Sequence, residues 1–248
     1  MKDRNMDKSL LDRFINKYSL GGAVQSVVLK AEDGKGLSTK FLSDDRDALG
    51  IISTPAIEIE EGEYGVFDTA RLRALLGVLD SEVKVRVIKK DGKATGFGMS
   101  DGRTKVTFVL ADKENIPVVP DLKKMLPTFE IVIKVDEKLA ETFTKAKAAL
   151  PEVETFTVLA DDKTAHLVVG YSGESLNTNR IAIEAEVDAV ESIEPIAFSA
   201  RYLREIFLSN KEMKEGKLRI SSAGMAHLSF VVEGFDINYY LFKVEKMD

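Results

Sequence analysis

Hydrophobic and polar positions alternate along most of this chain, a pattern that predicts β-strands. In "EVKVRVIKK", for example, valines alternate with charged residues, and similar β-rich runs recur between turn signals such as "DG", "EG" and "SG". Four segments instead space their apolar residues as an α-helix does. They are residues 7–17, 68–80, 136–147 and 201–214. The pattern predicts an α+β fold, with antiparallel sheets and two helices in each half of the chain.

The two halves of the chain repeat one another at an offset near 130 residues. "DKSLLDRFINKYSL" from Asp7 aligns with "DEKLAETFTKAKAAL" from Asp136, and "SVVLKAED" aligns with "FTVLADDK". "FDTARLRALLGVL" from Phe67 then aligns with "FSARYLREIFLSN" from Phe198. Three matches in the same order indicate a duplication. Each half is predicted to contain a helix, several strands, a second helix and three more strands.

An apolar, proline-bearing segment separates the two halves. "DKENIPVVPDLKKMLPTF", residues 112–129, holds three of the six prolines and therefore suits neither a central strand nor a helix interior. We predict a first domain at 1–112, an extended connector at 113–128 and a second domain at 129–248. Because "IPVVP" is apolar, we expect it to pack on the protein or to offer a binding edge.

Charge is unevenly distributed along the chain. The formal net charge is −6, yet the four predicted helices together carry about +3, so the remainder carries about −9. Arg204 lies beside an apolar stripe that includes Leu203 and Phe207, and Arg73 lies at the equivalent place in the first half. A solvated helix face is the ordinary explanation of such arginines. Their repetition in both halves favours a shared role.

The sequence predicts no catalytic site, no metal site and no cofactor. It has no cysteine, and its two histidines, His166 and His227, stand in strand patterns without a second ligand at metal-binding spacing. The glycine-rich "DGKGLSTK" lacks the Gly-Lys-Ser/Thr ending of a phosphate-binding loop. We expect solvated turn residues at the acidic pairs Asp44–Asp45 and Asp161–Asp162. An enzyme with an unrecognised site stays open as an alternative.

No part of the sequence predicts a membrane segment. There is no run of about 18 apolar residues, and the start, "MKDRNMDKSLL", is too charged for a signal peptide. We therefore expect a cytoplasmic protein that does not bind membranes.

Two short segments resemble a known family. "PIAFSARYLREIF", residues 195–207, resembles the strand-into-helix segment of proliferating cell nuclear antigen and related DNA sliding clamps, with Phe198 followed by Arg201, Tyr202 and Leu203. "INYYLFKVE", residues 237–245, resembles the terminal strand of those clamps. The connector is similar to their interdomain linker, and nearest to the shorter linkers of phage clamps.

The resemblance implies a non-enzymatic DNA polymerase processivity factor of viral or phage-like type. Three two-domain subunits would close head to tail into a homotrimeric ring, with sheets outside and helices around duplex DNA. Contacts to phosphates would be blind to sequence, and an acidic exterior would confine DNA to the hole. The implied partners are duplex DNA, DNA polymerase, an ATPase that loads the clamp, and other clients that bind through short peptides. A phage-encoded clamp would act in the host cytoplasm.

The resemblance also implies three sets of site residues. The DNA-facing set is Arg13, Lys17, Arg73, Lys145, Lys147, Arg201, Arg204 and Lys211. The partner-peptide pocket is Leu42, Ile116, Val118, Val119, Tyr240 and Phe242, for which ordinary interdomain packing is the alternative. The subunit interface pairs a strand carrying Val106, Phe108 and Leu110 with a neighbour's strand carrying Ile181, Ile183 and Ala185.

Two departures from the family pattern leave parts of this reading open. The helix from Asp136 begins with three acids, Asp136, Glu137 and Glu141, and Phe242 with Lys243 replaces a common Ala-Pro. The first departure leaves the DNA-facing role of this helix open, and the second leaves the client preference open. A protein-only ring or scaffold of the same fold, which binds partner peptides without encircling DNA, is the alternative function.

Overall fold

A computed structural model of the protein describes residues 4–122, 126–161, 163–173 and 178–244. Its α-helices are α1 Lys8–Ser19, α2 Thr69–Gly77, α3 Glu137–Ala149 and α4 Ala200–Ser209. Its strands are β1 Arg4–Asp7, β2 Val27–Glu32, β3 Gly36–Leu42, β4 Ala48–Thr54, β5 Gly62–Val66, β6 Glu82–Lys90, β7 Lys93–Ser100, β8 Lys105–Val109, β9 Ile131–Val135, β10 Thr155–Ala160, β11 Ala165–Val169, β12 Ile181–Ala185, β13 Val187–Ala189, β14 Ile193–Ser199, β15 Glu215–Ser221, β16 Met225–Val231 and β17 Asp236–Phe242. The predicted α+β class with antiparallel sheets is confirmed.

Some predicted features lie outside the described residues. They are Asp162, residues 123–125 of the connector, residues 1–3 of the first domain, and residues 174–177 and 245–248 of the second. No helix in the described ranges has the length and apolar content needed to cross a lipid bilayer.

Each α-helix begins at a capping side chain. The caps are Asp7 for α1, Asp68 for α2, Asp136 for α3 and Ser199 for α4. The three carboxylates accept hydrogen bonds of 2.7 to 2.8 Å from backbone N–H groups in the first turn. Those groups have no partner within the helix, so a cap fixes where the helix starts. Capping accounts for Asp136, the first of the acids at the start of α3.

Helix α4 is shorter than the sequence predicts, because it ends at Ser209 and not at Lys214. The side-chain amide of buried Asn210 donates to the carbonyl of Ile206 at 2.7 Å and to the hydroxyl of Tyr239 at 3.2 Å. This side chain thereby satisfies a carbonyl of the last turn and ends the helix. Lys211 consequently lies in the turn that follows α4.

The first compact unit comprises Met1–Leu42, Gly50–Val119 and Glu233–Asp236. It contains a four-stranded antiparallel sheet in the order β1-β6-β7-β8. Strands β4, β3, β2 and β5 lie side by side in that order as a second layer. Helices α1 and α2 bury an apolar face that includes Phe14, Tyr18, Leu72 and Leu76.

The second compact unit comprises Ser43–Leu49, Pro120–Val232 and Ile237–Asp248. Its strands form the orders β12-β11-β10-β14 and β13-β9-β15-β16-β17. Aromatic rings of α3, α4 and β10 meet edge to face in the core, where Phe143 lies 5.3 Å from Phe156 and 5.8 Å from Phe207. In both units a strand precedes the first helix and three strands follow the second, so the predicted duplication is confirmed. That the first domain ends at residue 112 and the second begins at residue 129 stays a prediction.

Candidate functional site

Cations of α3 and α4 line a cleft of about 500 Å³ in the second unit. Three predicted DNA-facing residues, Lys147, Arg201 and Arg204, meet there. Arg201 and Arg204 are three positions apart on α4 and therefore share one helix face. Three acidic side chains also line this cleft, namely Asp45, Asp47 and Glu154. The cleft is thus mixed in charge, with its cations on the two helices.

The three cations of this cleft differ in how far they are already engaged. Arg201 is exposed, with its guanidinium carbon 5.2 Å from the ring centre of Tyr202. Arg204 is half-buried and forms an ion pair with Glu205 at 2.5 Å. Lys147 donates from Nζ to the carbonyl of Pro151 at 2.9 Å. Arg201 is therefore the cation of this group with the most freedom to meet a phosphate.

A hydrogen bond from Tyr202 connects α4 to the loop before β4. The Tyr202 hydroxyl lies 2.9 and 3.0 Å from the two carboxylate oxygens of Asp45, and Ser43 donates to the same carboxylate at 2.6 Å. Burial alone would raise the pKa of Asp45, but these hydrogen bonds, a backbone N–H and the charge of Arg201 hold that pKa below its usual value. Burial and the Asp45 carboxylate raise the pKa of Tyr202 to about 12. Asp45 is an exposed turn residue, as predicted, and its carboxylate is also a hydrogen-bond acceptor for Tyr202 and Ser43.

Replacing Tyr202 with phenylalanine should lower the free energy of unfolding by about 1 kcal/mol, because a hydrogen bond to a charged acceptor is lost while the ring volume is kept. Urea denaturation measures the change. Tyr171→Phe is the matched control, because no described residue accepts a hydrogen bond from the hydroxyl of Tyr171. Equal effects of the two substitutions would contradict the role assigned to Tyr202.

Lys145 and Lys211 flank a second cleft of about 310 Å³ in the same unit. The lining of this cleft includes the largely buried side chains of Phe207 and Met213. Lys145 forms an ion pair with Glu141 at 3.1 Å, one turn earlier on α3. The acids at the start of α3 therefore cap the helix and neutralise part of its positive charge.

In the first unit the structure corrects the prediction for Lys17. This lysine is fully buried (0% exposed), with Nζ 5.0 Å from the ring centre of Phe235, and the guanidinium of Arg13 lies 4.9 Å from the same ring. Lys17 follows Phe14 by one helical turn and so falls on the buried face of α1, where it cannot meet a phosphate.

Arg73 is exposed on α2. Burial raises the pKa of Asp12 on α1, and the charges of Lys8 and Arg73 oppose that rise.

Five of the six predicted interface residues lie on strands at sheet edges, and Leu110 directly follows the end of β8. Strand β8 is the outer strand of β1-β6-β7-β8, and β12 is the outer strand of β12-β11-β10-β14. Phe108 on β8, and Ile183 and Ala185 on β12, are buried within their own units, while Val106, Leu110 and Ile181 are half-buried. Any pairing of these strands with a neighbour would therefore use their backbone edges.

Two exposed apolar residues, one at the end of β8 and one beside that strand, were not predicted from the sequence. Phe67 is 59% exposed and Val109 is 74% exposed, and both line a cleft of about 740 Å³ along the β8 edge. Phe198, the residue that the repeat aligns with Phe67, is fully buried. The repeat alignment therefore does not show that Phe67 is exposed and Phe198 buried. The alternation of apolar and polar residues along β8, in contrast, does predict that Val109 faces outward.

The predicted partner-peptide residues are distributed over both units. In the first, Val118 is 91% exposed, Leu42 and Val119 are half-buried, and Ile116 is buried. A Cβ atom added to Gly65 would lie 3.2 Å from Ile116 Cδ1, so Ile116 is packed closely against the backbone. In the second, Tyr240 is buried and Phe242 is half-buried. That the six residues form one pocket stays a prediction.

His227 stacks on Tyr240, with ring centres 4.6 Å apart and planes at 10°. Its Nε2 lies 2.9 Å from Asn238 Oδ1, and its Nδ1 lies 3.4 Å from an Arg219 nitrogen, an arrangement that fits the neutral Nε2–H tautomer. Burial lowers the pKa of His227, and the Arg219 charge adds to this effect, while the Asn238 hydrogen bond opposes it.

This arrangement makes stability depend on pH. The unfolded chain protonates His227 first, at a pKa of about 6.5, so its stabilising contribution is complete above that pH and is lost as pH falls towards the folded-state pKa. We expect the free energy of unfolding to fall less between about pH 7 and pH 5 in His227→Gln than in the unsubstituted protein. Urea denaturation at each pH tests this, with His166→Gln as the control. An identical pH dependence in all three proteins would contradict the assignment.

No cluster of three or more metal-binding side chains occurs among the described residues. Asp161, from one of the acidic pairs, accepts backbone hydrogen bonds from Lys163 at 2.8 Å and Thr164 at 2.7 Å. It is therefore a turn residue, as predicted.

At the level of sequence, no protein-family model and no curated protein matches this chain. In structure it is similar to the proliferating cellular nuclear antigen from Entamoeba histolytica, with a TM-score of 0.73 and 14% identity over 98% of both chains. A structure of A. fulgidus PCNA bound to the C-terminal region of FEN-1 gives a TM-score of 0.73 and 18% identity over 100% of both chains. The PCNA2–PCNA3 complex from Sulfolobus tokodaii gives 0.71 and 13%, over 98% of this chain and 99% of that one. The predicted sliding-clamp fold is thereby confirmed.

Proposed function

We propose that this chain with a sliding-clamp fold is a DNA polymerase processivity factor, which encircles duplex DNA as a homotrimeric ring and tethers the polymerase. The observation that carries the proposal is the exposed Arg201, which shares a cleft on α3 and α4 with Arg204 and Lys147. Such cations bind phosphates without reading bases, so the ring can slide. Arg13, Arg73, Lys145 and Lys211 belong to the same proposal, from which Lys17 is removed.

The open edge of β8 supports closure of a ring. The N–H of Leu110 donates to Thr95, so the alternate amides of Thr107 and Val109 point away from β7. Exposed Phe67 lies beside them. Pairing this edge with β12 of a neighbour would satisfy the amides, cover the Phe67 side chain and protect two aggregation-prone edges. Such a contact is heterologous and forms a ring when its rotation closes.

The proposed partners follow from the same arrangement. Loading needs an ATP-dependent clamp loader, since the proposed function assigns no ATP hydrolysis to this chain. Polymerase and other clients would bind through short peptides at the predicted pocket, for which Val118 offers an exposed aliphatic side chain. The proposed setting is the cytoplasm of a host cell, with a viral or phage-like origin.

A topological experiment tests the proposal. After loading onto nicked circular DNA, the protein should remain bound in moderate salt and run off once the circle is cut. Equal retention on circular and linear DNA would contradict encirclement. The solution mass at micromolar concentration gives a second readout, with a trimer expected.

The alternative, a protein-only ring or scaffold, is favoured by one observation. Lys145 and Arg204 are both neutralised by acids on their own helices, which lowers the positive potential of the helix face. A scaffold would give the trimer mass but would not be retained on circular DNA, so the two measurements together separate the functions.

A further inference from the structure

The outward face of the β6-β7-β8 sheet in the first unit is basic. Residues 82–109 contain seven cations and three acids, a net charge of +4 in a chain whose total is −6. Lys84, Arg86 and Lys105 are exposed on this face, and none of them forms an ion pair with another described residue. Positive charge is therefore concentrated on this strand face as well as on the helices.

Strand β7 forms a shallow lane through the middle of this face. Its outward positions are Gly96, Gly98 and Ser100, which carry little or no side chain, and both glycines are buried beneath side chains of β6. The side chain of Arg86 crosses the lane, because a Cβ atom added to Gly98 would lie 2.8 Å from its Nε. The register places Lys84 on one side of the lane and Lys105 on the other. With strands about 4.8 Å apart, these two lysines stand about 10 Å apart.

One end of the lane is apolar. Ile88 and Val109 flank Gly96, and Val109 is 74% exposed. This end lies four residues from the pair Lys84 and Lys105, which is about 13 Å along a strand. A ligand that lies along the lane, over these side chains, must therefore be anionic at one end and apolar at the other.

We propose that this face binds an acidic peptide segment of a partner protein, with two or more carboxylates over Lys84, Arg86 and Lys105 and an aliphatic side chain over Ile88 and Val109. The length of the lane suits about four extended residues. A nucleic acid fits less well, because its uniform charge would place a phosphate against the aliphatic end. The described outward positions of β6, β7 and β8 also hold no aromatic ring on which a base could stack.

This site is separate from the proposed DNA contact and from ring closure. A neighbour's strand added to β8 would pair with its backbone edge, which leaves the outward side chains of Lys105 and Val109 on the sheet face. Peptide binding is therefore expected whether or not the ring encircles DNA.

Fluorescence anisotropy of a labelled peptide tests the proposal on the full chain. The probe is a fluorescein-labelled peptide of four glutamates, a glycine and two leucines. We expect the triple variant Lys84→Glu, Arg86→Glu and Lys105→Glu to bind it at least about tenfold more weakly, and binding to the unsubstituted protein to weaken between about 50 and 200 mM salt. Peptides with glutamine for glutamate, or serine for leucine, should also bind more weakly.

The matched control is Lys40→Glu, Lys163→Glu and Lys214→Glu, which makes the same charge change at exposed positions outside strands β6, β7 and β8. If the triple charge-reversal variant unfolds, the double variant Lys84→Gln with Lys105→Gln replaces it. The double variant should also bind the peptide more weakly than the unsubstituted protein does. The proposal is overturned if the peptide does not bind the unsubstituted protein, or if the face variant and the control bind it equally. It is also overturned if the face variant loses affinity for a duplex oligonucleotide while peptide binding is unchanged.

Discussion

Reversing the charge of Arg201 and Arg204 to glutamate should weaken retention on circular DNA by at least about tenfold and reduce the steepness of its salt dependence, because each lost phosphate contact removes roughly 0.9 from the slope. The two residues face the cleft that also contains Lys147, so the reversed charges would repel the phosphates that this lysine attracts. Retention after loading, measured at several salt concentrations, gives both quantities.

The control for this experiment is Lys163→Glu with Lys214→Glu, two exposed lysines of the same unit outside the cleft. It makes the same change in net charge. Both variants should keep the solution mass of the unsubstituted protein. A loss of retention that is equal in the two variants would show that overall charge, and not the α4 face, determines binding to DNA.

Phe67→Glu should raise the dissociation constant of the assembly by about tenfold to a hundredfold, because an apolar side chain that assembly would cover is replaced by a charge. Thr107→Pro should also raise the dissociation constant of the assembly, because it alters the backbone edge of β8. Its amide points away from β7, so proline leaves the β7–β8 pairing intact but removes a donor from the open edge. Light scattering across a dilution series measures the mass.

Val78→Glu is the matched control for Phe67→Glu, since Val78 is 60% exposed in the same unit but lies at the end of α2. It should keep the mass of the unsubstituted protein. Thermal melting checks that each variant is folded. A trimer that persists in both Phe67→Glu and Thr107→Pro would exclude β8 as the subunit interface.

Most of the fold could be predicted from periodicity alone. Strands after the first helix of each half, and the starts of all four helices, follow from alternation and from side-chain caps such as Asp136. The four-residue strand β1 was missed because RNMD has only Met6 as an apolar residue. The end of α4 was misplaced because the decisive contacts of Asn210 include one with Tyr239, a residue far along the chain.

The candidate site was less predictable, because burial depends on contacts that periodicity does not contain. Lysine is usually a surface residue, yet the Lys17 side chain lies against Phe235, more than two hundred positions away in the sequence. Conversely, Phe67 aligns with Phe198 in the repeat, yet Phe198 is fully buried and Phe67 is 59% exposed. Arg201 is exposed on α4, and a position beside an apolar helix stripe is a local property that the sequence does contain.

The hydrogen bond between Tyr202 and Asp45 belongs to a longer series in the second unit. The N–H of Phe242 donates to the carbonyl of Asp47 at 3.0 Å, and the N–H of Asp47 donates to Asp45 at 3.2 Å. Three hydrogen bonds thus lead from the terminal strand to the residue next to Arg201. A ligand that orders Phe242 would favour an ordered Tyr202 through these hydrogen bonds. Coupling between two equilibria is reciprocal. Contacts that hold Tyr202 in place would therefore strengthen binding of that ligand by the same coupling free energy.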